Sequence, residues 1–380
     1  IGVAALVTLF AGQAIAGEWS WYGSVRMMAW RFNDEPAMGA GEDDEYTQFF
    51  MENPVSRVGA KIKAANKKVT ARLEFGFYDE KDVLATGSSA AAGAKNDVED
   101  NKAYLRLLYA TWDFGGGKLS IGQMYSAMSL GTSSQAGPAY ATRYGNAFSY
   151  WGTFHDSRQA QVKLDIGGFS ASMIHPHKIH DLGDGAGKVR YDIPKIVAGY
   201  KFKLDPLSFR IAGAYMTWDV EERGAGIPDV SADAYGAGVE AGLRMGPLYL
   251  EGTFTMAQNG YAIGDLNVTN LGNKASLTNP VTGIAGNNVI DVESYAFNLN
   301  ALYKLNDMFE LGAGYGFCES EYDVPGSFPD DEALYYGQVV ITLAPGVFVV
   351  PEIGKRDYKD KNGKDQGSRT YFGAKMQIDF

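Results

Sequence analysis

Along most of the chain, apolar residues recur at every second position. At the C-terminus Phe372, Ala374, Met376, Ile378 and Phe380 share one face, while Gly373, Lys375, Gln377 and Asp379 share the other. That is a strand with one greasy and one wet side. The same alternation predicts strands over 18–32, 54–66, 69–79, 102–113, 118–125, 157–166, 168–175, 192–204, 207–221, 232–245, 248–258, 291–304, 308–320, 333–343, 346–356 and 369–380, sixteen in all.

The links between these segments alternate between two kinds. After every even-numbered strand comes a tight turn with breaker chemistry: Asn66-Lys67-Lys68, Gly115-Gly116-Gly117, Gly167, Asp205-Pro206, Gly246-Pro247, Asn306-Asp307 and Pro345-Gly346. After every odd-numbered strand the link is long, up to the 32 residues from Asn259 to Ile290. Long loops on one rim and short turns on the other describe an all-β, transmembrane antiparallel up-and-down barrel in an outer membrane.

Charge phases the strands. In the second, Arg57, Lys61 and Lys63 oppose Val58, Ala60, Ile62 and Ala64. A lysine held toward lipid near the midplane costs roughly 2 to 4 kcal/mol, so the basic set faces the lumen. The same test turns Val69, Ala71, Leu73, Phe75 and Phe77 outward with Arg72 and Glu74 inward. It also sends Ile196, Ala198, Tyr200 and Phe202, and Phe309, Leu311, Ala313, Tyr315 and Phe317, to lipid. A barrel of eight strands fills with its own side chains, whereas sixteen leave an aqueous channel.

Composition agrees with this reading: aromatics are 13% of the 380 residues, and there are 47 glycines. No composition break divides the chain, so residues 17–380 read as a single domain. Residues 1–16, an uncharged apolar stretch ending in the small-x-small triplet Ala14-Ile15-Ala16, read as the remnant of a secretory signal peptide, shorter than a spanning helix needs. Cys318 is the single cysteine, which excludes an internal disulfide framework.

With leader, strand count, loop alternation and the terminal "AKMQIDF" in place, the chain resembles the Gram-negative general porins, trimers of sixteen-stranded barrels in the outer membrane. The resemblance implies passive diffusion of small hydrophilic solutes and ions. It implies a homotrimer among outer-membrane lipids and lipopolysaccharide, with no nucleic-acid partner. Phe380 is implied to act as the signal read by the outer-membrane assembly machinery. Passive passage needs no catalytic residue, metal or cofactor.

In that family the third long loop folds into the barrel and faces a ladder of basic residues. Here that loop, 126–156, has no carboxylate before Asp156 and supplies Arg143 and His155. Arg26, Arg57, Lys61, Arg72 and Arg106 fall on lumen-facing positions of the first four strands and would form the basic side of the constriction. With few acids opposite, the field in the pore favours anions weakly. The net charge of -11 sits largely in loops such as 33–46, and exposed loop charges more than about 8 to 10 Å away are screened at physiological salt.

Other motifs weigh less. "DYKDKNGKD", 357–365, is suggestive of a calcium loop but places Tyr358 and Arg369 where acidic ligands belong, and a polar Asn-Gly turn is favoured. "GAGVEAG", 236–242, lies within an alternating strand, where its small residues suit strand packing rather than a dinucleotide. "GDGAGK", 183–188, is too short for a phosphate loop. His175, His177 and His180 offer a surface metal site or a solvated loop, and the acids of 42–45 either hold cations bridging lipopolysaccharide or keep the rim soluble. Trp19, Trp21, Tyr109 and Tyr371 are assigned to interfacial girdles, because a wet interior offers aromatics no core to pack in.

Two alternatives stand beside passive diffusion. One is a substrate-specific channel for a sugar or an anionic solute, with Tyr22, Trp30, Tyr104 and Trp112 lining the lumen as a stacking track. The other is an outer-membrane hydrolase, which needs a nucleophile with a paired His near the membrane boundary.

Overall fold

The computed structural model describes residues 17–36, 44–52, 56–79, 101–131, 154, 156, 158–176, 188–224, 226–264, 276–278 and 285–380. The leader reading, Arg143, His155, His177, His180 and most of "GDGAGK" lie outside these residues.

Sixteen antiparallel strands close into a barrel. The first eight are β1 (Glu18–Pro36), β2 (Arg57–Lys63), β3 (Val69–Asp79), β4 (Asn101–Asp113), β5 (Lys118–Tyr125), β6 (Arg158–Ile166), β7 (Phe169–Ile174) and β8 (Lys195–Leu204). They continue as β9 (Leu207–Glu221), β10 (Val230–Met245), β11 (Leu248–Gln258), β12 (Val292–Lys304), β13 (Phe309–Tyr322), β14 (Asp330–Ala344), β15 (Val347–Asp357) and β16 (Gly367–Asp379). The sheet counts eighteen segments because two strands are prolonged toward the long-loop rim by separate pieces. Asp44–Glu52 pairs with β1 above β2, and Lys188–Arg190 pairs with β9 above β8. The first link, expected as loop over 33–46, is therefore partly strand, since β1 runs on to Pro36.

Every strand pairs with its neighbours in sequence, and β16 closes on β1 from Ser24↔Asp379 to Pro36↔Gly367. The backbone of Phe380 completes the seam: Gly23 N–H donates to its carbonyl at 2.8 Å, and its own N–H donates to the Gly23 carbonyl at 3.1 Å. The Phe380 ring covers that glycine on the outer face, where an added Cβ would meet Cζ at 2.2 Å. With β16 paired to β1 the sheet closes on itself, so among the described residues the wall supplies its own ladder partners, and Gln123 Nε2 serves the carbonyls of Leu105 and Arg106 where the β4–β5 ladder stops.

The outer face is apolar as phased from the charges. Val69, Phe77, Ile196, Tyr200, Phe202, Leu311, Tyr315, Phe372, Met376 and Ile378 are all exposed there. Trp19 and Trp21 lie outward with ring centroids 6.4 Å apart. Two girdle assignments are corrected. Tyr371 shares the inward face with Lys375 and is fully buried edge-on against Trp30. Tyr109 stands opposite the inward Arg72 and turns inward with it.

The cause of the second lies in one residue. Between the pairs Glu74↔Leu107 and Phe75↔Leu105 the ladder skips Arg106, a β-bulge that sets two residues of β4 against one of β3. Beyond it the side-chain phase flips. Tyr109 therefore moves from lipid to lumen, and Trp112, expected in the lumen, is 51% exposed on the outer face beside Phe114.

Beyond β15 the "DYKDKNGKD" segment forms a small hairpin, Asp360–Lys361 with Lys364–Asp365, turning through Asn362 and Gly363 at φ 52° and 69°. This is the polar Asn-Gly turn.

Candidate functional site

The lumen-facing side chains fall into a basic group on β1 to β4 and a buried apolar group that covers β7 to β11 and, with Met28, Trp30, Phe32 and Tyr371, reaches β1 and β16. On β1 to β4 the basic wall is organised around Glu74, which is 2% exposed. Its Oε1 accepts from Arg106 Nε at 2.7 Å, and its Oε2 accepts from the Tyr22 hydroxyl at 2.7 Å and from Arg72 at 3.1 Å, with Arg57 at 3.9 Å. One carboxylate thus faces three guanidiniums, and a local excess of positive charge remains. Arg106 is buried and also donates to the Tyr104 hydroxyl at 3.0 Å.

Lys61 lies 5.3 Å from the centroid of the Tyr22 ring, is exposed to the lumen and makes no carboxylate contact among the described residues. Arg26 points inward and donates from Nε to Ser24 at 2.9 Å. Lys61, Arg72 and Tyr109 open onto a recess of about 400 Å³ at the short-turn end, which also touches Lys63 and Glu18. Of the expected constriction residues, then, Arg26, Arg57, Lys61, Arg72 and Arg106 share one wall. Arg143 falls outside the described residues.

Sequence reasoning missed parts of this site. Alternation puts Lys375 on the wet face of its strand but does not join it to the basic wall; the pairing sets it opposite Met28, two positions from Arg26, and so extends that wall onto β16. Alternation turns Glu74 inward but does not show its role, because pairing across strands is invisible in one strand's pattern. Arg158, 6.0 Å from the Tyr104 ring centroid and 5.6 Å from that of Tyr125, carried no distinguishing signal.

The facing strands are close to neutral. Arg210 pairs with Glu240, and Arg244 lies 4.8 Å from the ring of Tyr249, whose hydroxyl donates to Glu251 at 2.6 Å. Asn298 and Asn300 are joined at 3.0 Å, and the Tyr336 hydroxyl donates to Asn300 at 2.9 Å. Toward the long-loop rim, Arg356 is bidentate on Glu332 and Arg369 is bidentate on Asp34. These pairs cancel locally; on β15 the buried Glu352 accepts from the Tyr371 hydroxyl at 2.8 Å on the face that carries Lys375, and the excess positive charge stands on β1 to β4.

The dry side corrects the expectation of a wet interior throughout. Ile174, Val197, Ala212, Ala214, Met216, Trp218, Ala232, Ala234 and Ala257 line the inner face of β7 to β11 and are buried. What buries them includes loop residues: Met128, Leu130 and Phe154 from the third loop and Ile263 from the sixth belong to the same cluster. Leu130 bridges to Phe154, and Gly131 N–H donates to Glu240 across the lumen at 2.6 Å, so the stem of the third loop lies inside the barrel.

The glycines of "GAGVEAG" take their place here. An added Cβ would reach Ile263 at 2.9 Å from Gly236 and Leu130 at 2.6 Å from Gly238, so they make room for the inlaid loops rather than for neighbouring strands alone. Trp30 is inward but buried, so of the proposed stacking track only Tyr22 and Tyr104 remain on the lumen wall.

The model of one protein family, described as Gram-negative porin, matches residues 2–361. No curated protein sequence matches the chain. Among solved structures it is similar to the outer membrane channel DcaP of Acinetobacter baumannii, at TM-score 0.66 and 14% identity over 96% of this chain and 99% of that one. It is similar to the anion-selective porin from Comamonas acidovorans at TM-score 0.55 and 13% identity, over 96% and 100% of the two chains. A trimer form of OmpT from Vibrio cholerae gives TM-score 0.54 and 18% identity over 96% and 100%. At these identities the likeness to solved structures is one of fold.

Proposed function

The chain belongs to the Gram-negative porin family and forms a channel of the outer membrane for passive diffusion, and we propose that this channel prefers anions weakly. One observation carries the preference: Arg26, Arg57, Lys61, Arg72 and Arg106 gather on one lumen wall with the buried carboxylate of Glu74, and Lys375 joins them on β16 beside the buried Glu352 of β15, so that cations outnumber carboxylates there, while on the facing strands Arg210 pairs with Glu240. A fixed cationic wall along a water-filled path raises the local concentration of anions and lowers that of cations. The third loop adds no carboxylate before Asp156 to offset it, which sets this chain apart from a pore with acid on one side and base on the other. The Comamonas acidovorans porin of similar fold is described as anion-selective, which is consistent with the reading. Arg143 belongs to the same proposal through its place in the third loop.

The test is the single-channel reversal potential of the purified protein in a salt gradient; a potential of cation-selective sign overturns the preference. A sugar-specific stacking track has less support, since Trp30 is buried and Trp112 faces outward. A channel performs no bond chemistry, and the hydrolase alternative is tested by esterase and lipase assays, in which turnover by pure protein would overturn the reading.

The same reading makes the protein a homotrimer in contact with lipopolysaccharide, as the trimer form of the Vibrio cholerae protein suggests, with Phe380 presented to the assembly machinery. Support for the last comes from the exposure of its ring on the outer face at the seam.

A further inference from the structure

Lys195 opens β8 with its side chain inside the barrel, yet it is 2% exposed. An ammonium so placed has lost its hydration and persists only where a carboxylate and further acceptors replace the water. Here loops supply them. Nζ donates to Oδ1 of Asp156 at the end of the third loop, 2.6 Å away, and to the carbonyl of Ile263 in the sixth loop at 3.1 Å. Asp156, itself 0% exposed, also accepts from Gln159 Nε2 at 2.9 Å and from the hydroxyl of Ser126. Ser126 begins the third loop, 30 residues before Asp156, and its Oγ accepts from Met128 N–H at 3.1 Å. A single carboxylate therefore binds both ends of one loop, and a single ammonium binds that carboxylate to another loop.

Besides the Gly131 N–H donated to Glu240 at 2.6 Å, the inlay rests on apolar contacts. Phe154 lies on Gly264, where a Cβ would meet its Cε1 at 2.0 Å, and Leu130 and Ile263 lie on Gly238 and Gly236 of β10. Hydrophobic burial against glycines and alanines is favourable but non-directional, and a smooth floor lets such residues slide. The charged hydrogen bonds supply the direction.

We propose that Lys195 is the positioning residue for the narrowed side of the channel: its ammonium joins the third and sixth loops into one inlay and fixes how far that inlay stands into the lumen. The proposal rests on the channel reading and is independent of the anion preference, because Lys195 and Asp156 are sealed from the water path and neutralise each other.

The experiment uses the full-length protein reconstituted in planar bilayers and in liposomes. Lys195→Met is expected to raise single-channel conductance, on the order of 1.5-fold as the inlay loosens from the wall. It should add open-channel noise and admit larger neutral sugars in swelling assays, with the heat-modifiable mobility of the barrel unchanged. A residue that only stabilised the barrel would alter that mobility and leave conductance alone. Asp156→Asn, which keeps the shape and most hydrogen bonds, is expected to shift conductance in the same direction and serves if Lys195→Met does not assemble. Gly264→Ala, which pushes on Phe154, is expected to act in the same direction and non-additively with Lys195→Met. Wild-type conductance and sugar limit in both Lys195→Met and Asp156→Asn overturn the proposal, and additive effects with Gly264→Ala overturn the joining of the two loops. A wild-type protein that forms no channels at all would instead overturn the channel reading.

Discussion

Arg72 donates from Nε to the hydroxyl of Tyr22 at 2.7 Å while its guanidinium carbon lies 5.0 Å from the centroid of the same ring. The tyrosine passes its own proton toward Glu74 at 2.7 Å. The guanidinium is thus anchored at its edge and flanked on its face, which fixes a positive charge on the wall instead of letting it sway with the solvent.

Lys61 shares that ring but has no carboxylate partner among the described residues, so its charge acts on passing ions undiminished. A unit charge about 6 Å from an ion in water is worth roughly 0.7 kcal/mol, close to threefold in relative concentration. Because the same charge repels a cation by as much, Lys61→Gln is expected to lower the anion-to-cation permeability ratio by up to about tenfold, read from the reversal potential. An unchanged ratio would place Lys61 off the ion path.

Glu74 gives effects of opposite sign on two readouts. With Arg106 and Glu74 3% and 2% exposed, removal of the carboxylate strands a buried guanidinium. Glu74→Gln is expected to cost about 3 to 5 kcal/mol of barrel stability, measured by unfolding from detergent micelles. The same substitution removes the negative charge at the centre of the basic wall and should strengthen anion preference. Loss of both stability and preference would contradict this arrangement.

Met376 and Gln377 are adjacent in β16 and face opposite solvents: Met376 is exposed to lipid, Gln377 lies on the lumen side. Met376→Arg is expected to destabilise the barrel by about 2 to 4 kcal/mol if it reaches the bilayer midplane, and by less nearer the interface. Gln377→Arg should assemble normally and raise anion preference. Folding yield into lipid vesicles and the reversal potential read the two effects separately.

The Phe380 ring rests where a Cβ on Gly23 would stand. Gly23→Val should displace the ring and slow assembly without touching the terminal residue, and Phe380→Ala should slow it more, because it removes the ring that the resemblance makes the assembly signal. Normal heat-modifiable trimers at wild-type rates from both variants would leave the seam contact without a role in assembly.

How much of this was legible in the sequence depended on whether a signal was local. Strand count, turn chemistry and the inward phase of Arg57, Lys61 and Arg72 could be read from alternation alone, since lipid excludes charge so strongly that one lysine phases a strand. Tyr109 and Trp112 were misplaced because a bulge at Arg106 is one unpaired residue, visible only against the register of β3. The dry side was missed for a different reason. In β9 neither face is charged beyond Arg210 as far as Trp218, with Met216 and Trp218 inward and Ile211 and Tyr215 outward, so no charge in that stretch betrays a loop packed inside. Lys195 and Asp156 were unremarkable in sequence because their meaning lies in a contact across 39 positions.

The inlay of Met128, Leu130, Phe154 and Ile263 thickens the barrel from one side. A lumen thickened on one side only would be left a crescent rather than a round bore. For a crescent the deciding dimension is the thinnest gap, so two molecules of equal mass are sorted by flatness: a disc or an extended chain slides through edge-on where a compact sphere is turned back. Sieving by such a pore is a measurement of shape taken beside a charged rail, and molecular weight alone would describe it badly.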